Sequence, residues 1–127
     1  MATIPDRVRD VFDEPALAHV SYLSRKGQIV TWPMWAHFDG EHVLISSPVG
    51  SRKGQAFRER PQVAISIVST KDPWHWVSIS GRVVDIRPDD DLEFIDRMAQ
   101  KYTGRDYQRR GPREVFAVAI DRVSPES

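Results

Sequence analysis

The chain of 127 residues is long enough for one domain, 1–127, that buries about two thirds of its extended surface around a single core. Its 18 Lys and Arg offset 18 Asp and Glu, and a net charge of zero argues against a nucleic-acid binder, which carries a basic excess. The lack of cysteine excludes disulfides and thiolate metal sites and suits a reducing cytoplasm, and no apolar run reaches the ~20 residues that span a bilayer.

Pro5 to Phe12 is predicted as a short helix, with Pro5 in its first turn and Val8, Val11 and Phe12 on one face. The segment from Met1 to Asp13 is charged and lacks the apolar core of a signal peptide. Ala16 to Ser24 reads as a strand that turns at Arg25-Lys26-Gly27 into a second strand, Gln28 to Phe38. Pro33 lies inside that second strand and donates no ladder hydrogen bond, so it belongs at an edge or a bulge. A strand of this kind can face a ligand, leaving the amides of Met34 and Trp35 for a flat heterocycle. Asp39-Gly40 is the strongest hairpin signal and leads into a third strand, Glu41 to Ser47.

Gln62 to Ser69 is the fourth strand and Trp76 to Arg87 the fifth, where Gly81 marks a bulge or a barrel corner. Asp89 to Tyr102 is the clearest helix, with Asp90 and Glu93 at capping-box spacing and Leu92, Ile95, Ala99 and Tyr102 on one face. After a polar loop, Arg105 to Pro112, a last strand runs from Glu114 to Val123. It alternates Phe116, Val118 and Ile120 against Val115, Ala117 and Ala119, so both its faces are expected to be buried. Hairpin-length connections make the sheet mainly antiparallel. Six to seven such strands predict a mainly β fold, a small split β-barrel with flanking helices.

The chemistry concentrates between the third and fourth strands, in Ser46-Ser47-Pro48-Val49-Gly50-Ser51-Arg52-Lys53-Gly54. Pro48 and Gly50 break the strand, Ser51 is a good N-cap, Arg52 to Glu59 reads as a short helix, and Pro61 stops it. Unpaired backbone N–H groups of the first helical turn then lie beside Arg52 and Lys53. A bound anion would turn an unfavourable pairing of positive charge with the helix dipole into a favourable one. Gly54 is read as letting a ligand approach the backbone. The spacing is not that of a P-loop, and a solvated basic helix is the alternative. The four histidines, His19, His37, His42 and His75, show no metal-ligand spacing. The tryptophans Trp32, Trp35, Trp74 and Trp76 are either ring contacts or core and interface filler.

Thr31-x-Pro33-x-Trp35, Asp39-Gly40, Ser51-Arg52-Lys53-Gly54, Arg60-Pro61-x-Val63 and Gly81-Arg82-Val83, followed by a helix ending Lys101-Tyr102-x-Gly104, resemble the pyridoxamine-phosphate-oxidase-like split-barrel superfamily. Within it, the pattern is similar to the short branch of deazaflavin-dependent oxidoreductases that use coenzyme F420. The resemblance implies a homodimer with cofactor sites at the subunit interface. It also implies a hydride transfer between the cofactor and an unsaturated or conjugated small organic substrate, with no side chain required as a catalyst, a non-enzymatic flavin- or deazaflavin-binding protein of the same fold being an alternative. By the same resemblance, Arg52 and Lys53 hold the cofactor phosphate beside Ser51. Pro33, Met34 and Trp35 line the ring, Ser46 and Ser47 reach the ribityl chain or phosphate, Thr31 belongs to the same cofactor site, and Trp74 and Trp76 complete the pocket. Ala56 stands where many short members have an asparagine, and Ser51-Arg52-Lys53-Gly54-Gln55 is spelled as in the FMN-using oxidases, so FMN is the alternative cofactor. The segment that completes substrate binding in those oxidases has no counterpart after Val123. An F420 tail would need positive charge beyond the phosphate, for which Arg58, Arg60, Arg105, Arg109, Arg110 and Arg113 are candidates.

Overall fold

The structure is a computed structural model that describes residues 2–125. Seven strands form one sheet: β1 Ala18–Leu23, β2 Ile29–Met34, β3 His37–Phe38, β4 Val43–Pro48, β5 Gln62–Val68, β6 Trp76–Pro88 and β7 Arg113–Ser124. Two α-helices, α1 Arg52–Glu59 and α2 Glu93–Thr103, and a 3-10 helix, Asp6–Asp13, flank it. Every pairing is antiparallel, in the order β2-β1-β5-β6-β7-β4-β3.

That order explains the curl. The second predicted strand is two strands, and they lie at opposite ends of the sheet: β2 pairs with β1, β3 with β4. Only Trp35 and Ala36 separate Met34 from His37, and that much chain spans at most about 11 Å. The two ends of the sheet must therefore approach, which closes it into a split barrel. Pro33 sits in the edge strand opposite His19, where its missing N–H interrupts no second ladder.

One core fills the barrel, with Val20, Ile45, Phe57, Ile65, Ile79 and Phe116 among its buried members. The N-terminal helix adds Val8, Val11 and Phe12, the predicted face, though it winds as a 3-10 helix. The other face of β7, with Val115 and Ala117, packs with Leu44 against Phe94 and Met98 of α2. Burial on both faces of β7 is as expected, and α2 of the same chain provides part of it, so this strand by itself does not call for a partner.

Gly81 is the corner. A Cβ there would lie 2.0 Å from the Ala119 carbonyl oxygen, and the β6–β7 register shifts on either side of Gly81, between Ser80 and Gly81 and between Val83 and Asp85. The long helix starts later than its sequence suggests. Asp91 and Leu92 adopt positive φ, and α2 begins at Glu93. Its cap is Asp89, whose two carboxylate oxygens accept from the N–H groups of Phe94 (2.8 Å) and Ile95 (3.0 Å), so Asp90 is not the capping residue. At the other end of α2, Lys101 Nζ donates to the carbonyls of Phe12 and Ala36 at 2.7 Å each, and the Tyr102 hydroxyl donates to the Ala16 carbonyl and accepts from the Ala36 N–H. These bonds fix the β2–β3 crossover, and Trp35 with it.

Candidate functional site

The start of α1 is built from two hydroxyls and a glycine. Ser51 caps the helix, its Oγ accepting from the Gly54 N–H at 3.0 Å. Ser47, fully buried at the end of β4, bonds Ser51 Oγ at 2.6 Å and so anchors the cap to the sheet. Gly54 is buried, and a Cβ would meet Ser51 Oγ at 3.1 Å and Phe116 Cζ at 3.2 Å. The glycine therefore serves inward packing of α1 on the barrel, a correction to its reading as a point of ligand approach.

Two cavities open on either side of Lys53. The larger, about 710 Å³, is a groove between the β1–β2 hairpin and α1. Arg25, Lys26, Arg52, Lys53 and Arg60 line it, against one acid, Glu59. Glu59 is already engaged by Arg25 and Arg60. Trp32, nearly half exposed, stands in the groove with Lys53 Nζ 4.0 Å from its ring centroid, a cation–π arrangement.

The smaller cavity, about 180 Å³, is a chamber between the β2–β3 crossover, β4 and α2. Pro33, Met34 and Trp35 line one side and Phe94, Ile95 and Met98 another. Ser46, Lys53, Tyr107 and Arg113 supply its polar groups. Arg113 Nε donates to Ser46 Oγ at 2.9 Å, and its guanidinium lies 5.0 Å from the Tyr107 ring centroid. Trp35 stacks on Tyr102 at 5.1 Å and meets the edge of Tyr107 at 5.8 Å. Asp96 holds Tyr107 in place by accepting from its backbone N–H and from both terminal nitrogens of Arg110. Burial pushes the Lys53 ammonium and the Arg113 guanidinium below their ordinary values, and for Lys53 the charge of Arg113 adds to the effect. Removing two cations from water next to each other is unfavourable unless an anion joins them.

Of the residues singled out in the sequence, Pro33, Met34, Trp35, Ser46 and Lys53 meet around the chamber, and Ser51, Arg52 and Lys53 line the groove. Ser47 supports the cap from within. Thr31 lies on the outer face of the sheet with its Oγ1 2.8 Å from Ser21 Oγ, and Trp76 opens β6 opposite Val68. Neither lines the two cavities. The arginines considered for an anionic tail separate. Arg58 pairs with Glu114 and Arg110 with Asp96, Arg60 lines the groove, Arg113 lines the chamber, and Arg105 and Arg109 border a third cavity beyond Trp35. Arg113 and Tyr107 are the residues that sequence reasoning missed as chamber walls. Arg113 reaches Ser46 only through the pairing of Pro48 with Arg113 across β4 and β7, a contact of long sequence separation with no local signature. Among the described residues, no group of three or more His, Asp or Glu side chains is placed to hold a metal.

Residues 4–126 match the family model described as pyridoxamine 5'-phosphate oxidase, and the chain belongs to that family, whose fold holds flavin-type cofactors. No curated protein is significantly similar in sequence. Among solved structures, the chain is similar to an F420 reductase, at 21% identity and TM-score 0.86, covering 97% of this chain and 100% of that one. It is also similar to HupZ of Group A Streptococcus (15% identity, TM-score 0.66, 95% and 92% covered). General Stress Protein 26 of Bacillus anthracis is a third (13%, TM-score 0.69, 93% and 89%). At these identities the likeness establishes the fold.

Proposed function

We propose that this protein is an oxidoreductase that uses coenzyme F420 on an unsaturated or conjugated small organic substrate. The observation that carries the reading is a cation-lined groove that meets a chamber of mixed apolar and polar walls at Lys53. The groove's volume lies within the ~300–1,000 Å³ typical of cofactor sites. Its lining fits a ligand with a phosphate and further negative charge: five cations against one acid already engaged.

Arg52 and Lys53, beside the start of α1, would hold the phosphate, and Trp32 and the Pro33–Trp35 segment would meet the ring. The bound cofactor supplies the hydride. The protein's part is to position and to exclude water: Ser47 and Ser51 set the helix start, and Lys101 and Tyr102 fix the crossover that carries Trp35. The similarity to an F420 reductase supports the deazaflavin. So does the continuation of positive charge past Lys53 through Arg60, Arg25 and Lys26, which an acidic tail would use. FMN is the second reading, favoured by the spelling of residues 51–55.

The protein acts as a cytoplasmic homodimer in this reading. The outer face of the sheet leaves Leu17, Leu23, Ile29 and Val68 exposed, and covering them with a second copy would bring Thr31 and Trp76 toward the partner's site. Titration of the purified protein with F420 and with FMN, followed by fluorescence quenching at low and high salt, tests the cofactor. F420 is expected to bind more tightly and to weaken with salt. Stoichiometric FMN that F420 fails to displace would reverse the assignment.

A further inference from the structure

We propose that the 180 Å³ chamber is a binding site for the oxyanion of a compact organic molecule, with Arg113 as its main anchor and Lys53 as the second cation. Arg113 stands at the first residue of β7 and is half-buried. Its Nε is committed to Ser46 Oγ. That bond and a side-chain hydrogen bond with Tyr107 orient the guanidinium, and its remaining N–H groups suit a carboxylate or phosphate oxygen. Among the described residues, neither Arg113 nor Lys53 has an ion pair within 4.0 Å. The acid that acts on Arg113, Asp89, has both carboxylate oxygens engaged by the N–H groups of α2. Glu114, the neighbour in sequence, is paired with Arg58. Elsewhere in the chain basic side chains have found acids: Arg25, Arg60, Arg82 and Arg110 all form ion pairs. Lys53 and Arg113 are adjacent, half-buried and face one cavity without such an acid, and an anion is what would balance them.

The chamber also says what carries the oxyanion. Its volume is close to the ~150 Å³ of an engineered cavity that accepts benzene. Phe94, Ile95, Met98 and Met34 give it an apolar wall opposite the cations. A bare inorganic ion leaves that wall unused, whereas a small carboxylate with a flat apolar body uses both. The inference deepens the proposed oxidoreductase reading by naming the substrate's charge class, and it rests on that reading for the cofactor, which would share Lys53 and the Pro33–Trp35 wall with the chamber.

The test is calorimetric titration of the full-length protein with benzoate, acetate and inorganic phosphate, repeated with F420 present. Benzoate is expected to bind saturably and more tightly than acetate. Arg113→Gln should weaken it at least tenfold, and Arg113→Lys should retain part of the affinity. Arg122→Gln, the same charge change at an exposed position of β7, should leave it unchanged, and circular dichroism should report a folded chain in each case. Benzoate binding that persists beside saturating F420 assigns the site to the substrate's carboxylate. One-for-one displacement by F420 would assign the same residues to the cofactor's phosphate and overturn the proposal. Absence of saturable binding by all three anions, or equal affinity in the parent and Arg113→Gln, overturns the site. Loss of binding on Arg52→Gln but not on Arg113→Gln would place the anion in the groove and also overturn it, while leaving the cofactor reading intact.

Discussion

Lys53→Met keeps most of the side chain's length and removes its charge. Two effects on stability oppose each other. The cation–π contact with Trp32 is worth about 0.5–1 kcal/mol at a partly exposed site. Against it stands the cost of holding an unpaired ammonium half-buried beside Arg113, which the substitution relieves. The net change should stay within about 1 kcal/mol, a shift of roughly 4 °C or less in melting temperature for a chain of this size. Cofactor affinity should respond much more. A charge-assisted hydrogen bond to phosphate contributes about 1.5–3 kcal/mol, so the dissociation constant for F420 should rise roughly tenfold to a hundredfold. Fluorescence titration reads the affinity and calorimetric melting reads the stability. Unchanged F420 affinity in a normally folded variant would refute the role of Lys53 at the junction of groove and chamber. A loss of more than ~3 kcal/mol in stability would show instead that the lysine is a structural strut.

Gly81→Ala should be among the most damaging single changes, because the added Cβ meets the Ala119 carbonyl and β6 must separate from β7. A loss of about 3 kcal/mol or more is expected in urea unfolding, and a variant of parental stability would contradict the corner geometry. Asp89→Ala leaves two buried N–H groups of α2 without acceptors and should cost about 2–4 kcal/mol, whereas Asp90→Ala, at an exposed position, should change stability by less than about 0.5 kcal/mol; equal effects would return the cap to Asp90. Lys101 titrates lower when folded, burial pushing it from its ordinary 10.5 to about 8. The unfolded chain therefore binds more protons between those values, and stability relative to Lys101→Met should rise with pH from about 8 to 10.5. The neutral amine keeps two N–H donors for the carbonyls of Phe12 and Ala36. A flat or falling difference across that window in urea titrations would show that the ammonium stays charged.

Local chemistry determined much of this protein. Apolar alternation located the strands, Pro33 pointed to an edge, Gly81 to a corner, and Ser51 to the cap of α1, because each of these depends on the backbone preferences of a few neighbouring residues. The same locality made the Ser51-Arg52-Lys53 segment recognisable as a positively charged helix start. What the tertiary structure decided depends on which distant segments meet. The run from Gln28 to Phe38 satisfies strand preferences throughout, but it divides at Trp35 and Ala36 because its two halves find partners at opposite ends of the sheet. Asp90 has the spacing of a capping residue, and the backbone turn at Asp91 and Leu92 gives the task to Asp89. Arg113 reads as one basic residue of a polar loop. Only the pairing of β7 with β4 brings it to Ser46, and its lack of an ion-pair partner among the described residues is a property of the packed chain rather than of its neighbours in sequence.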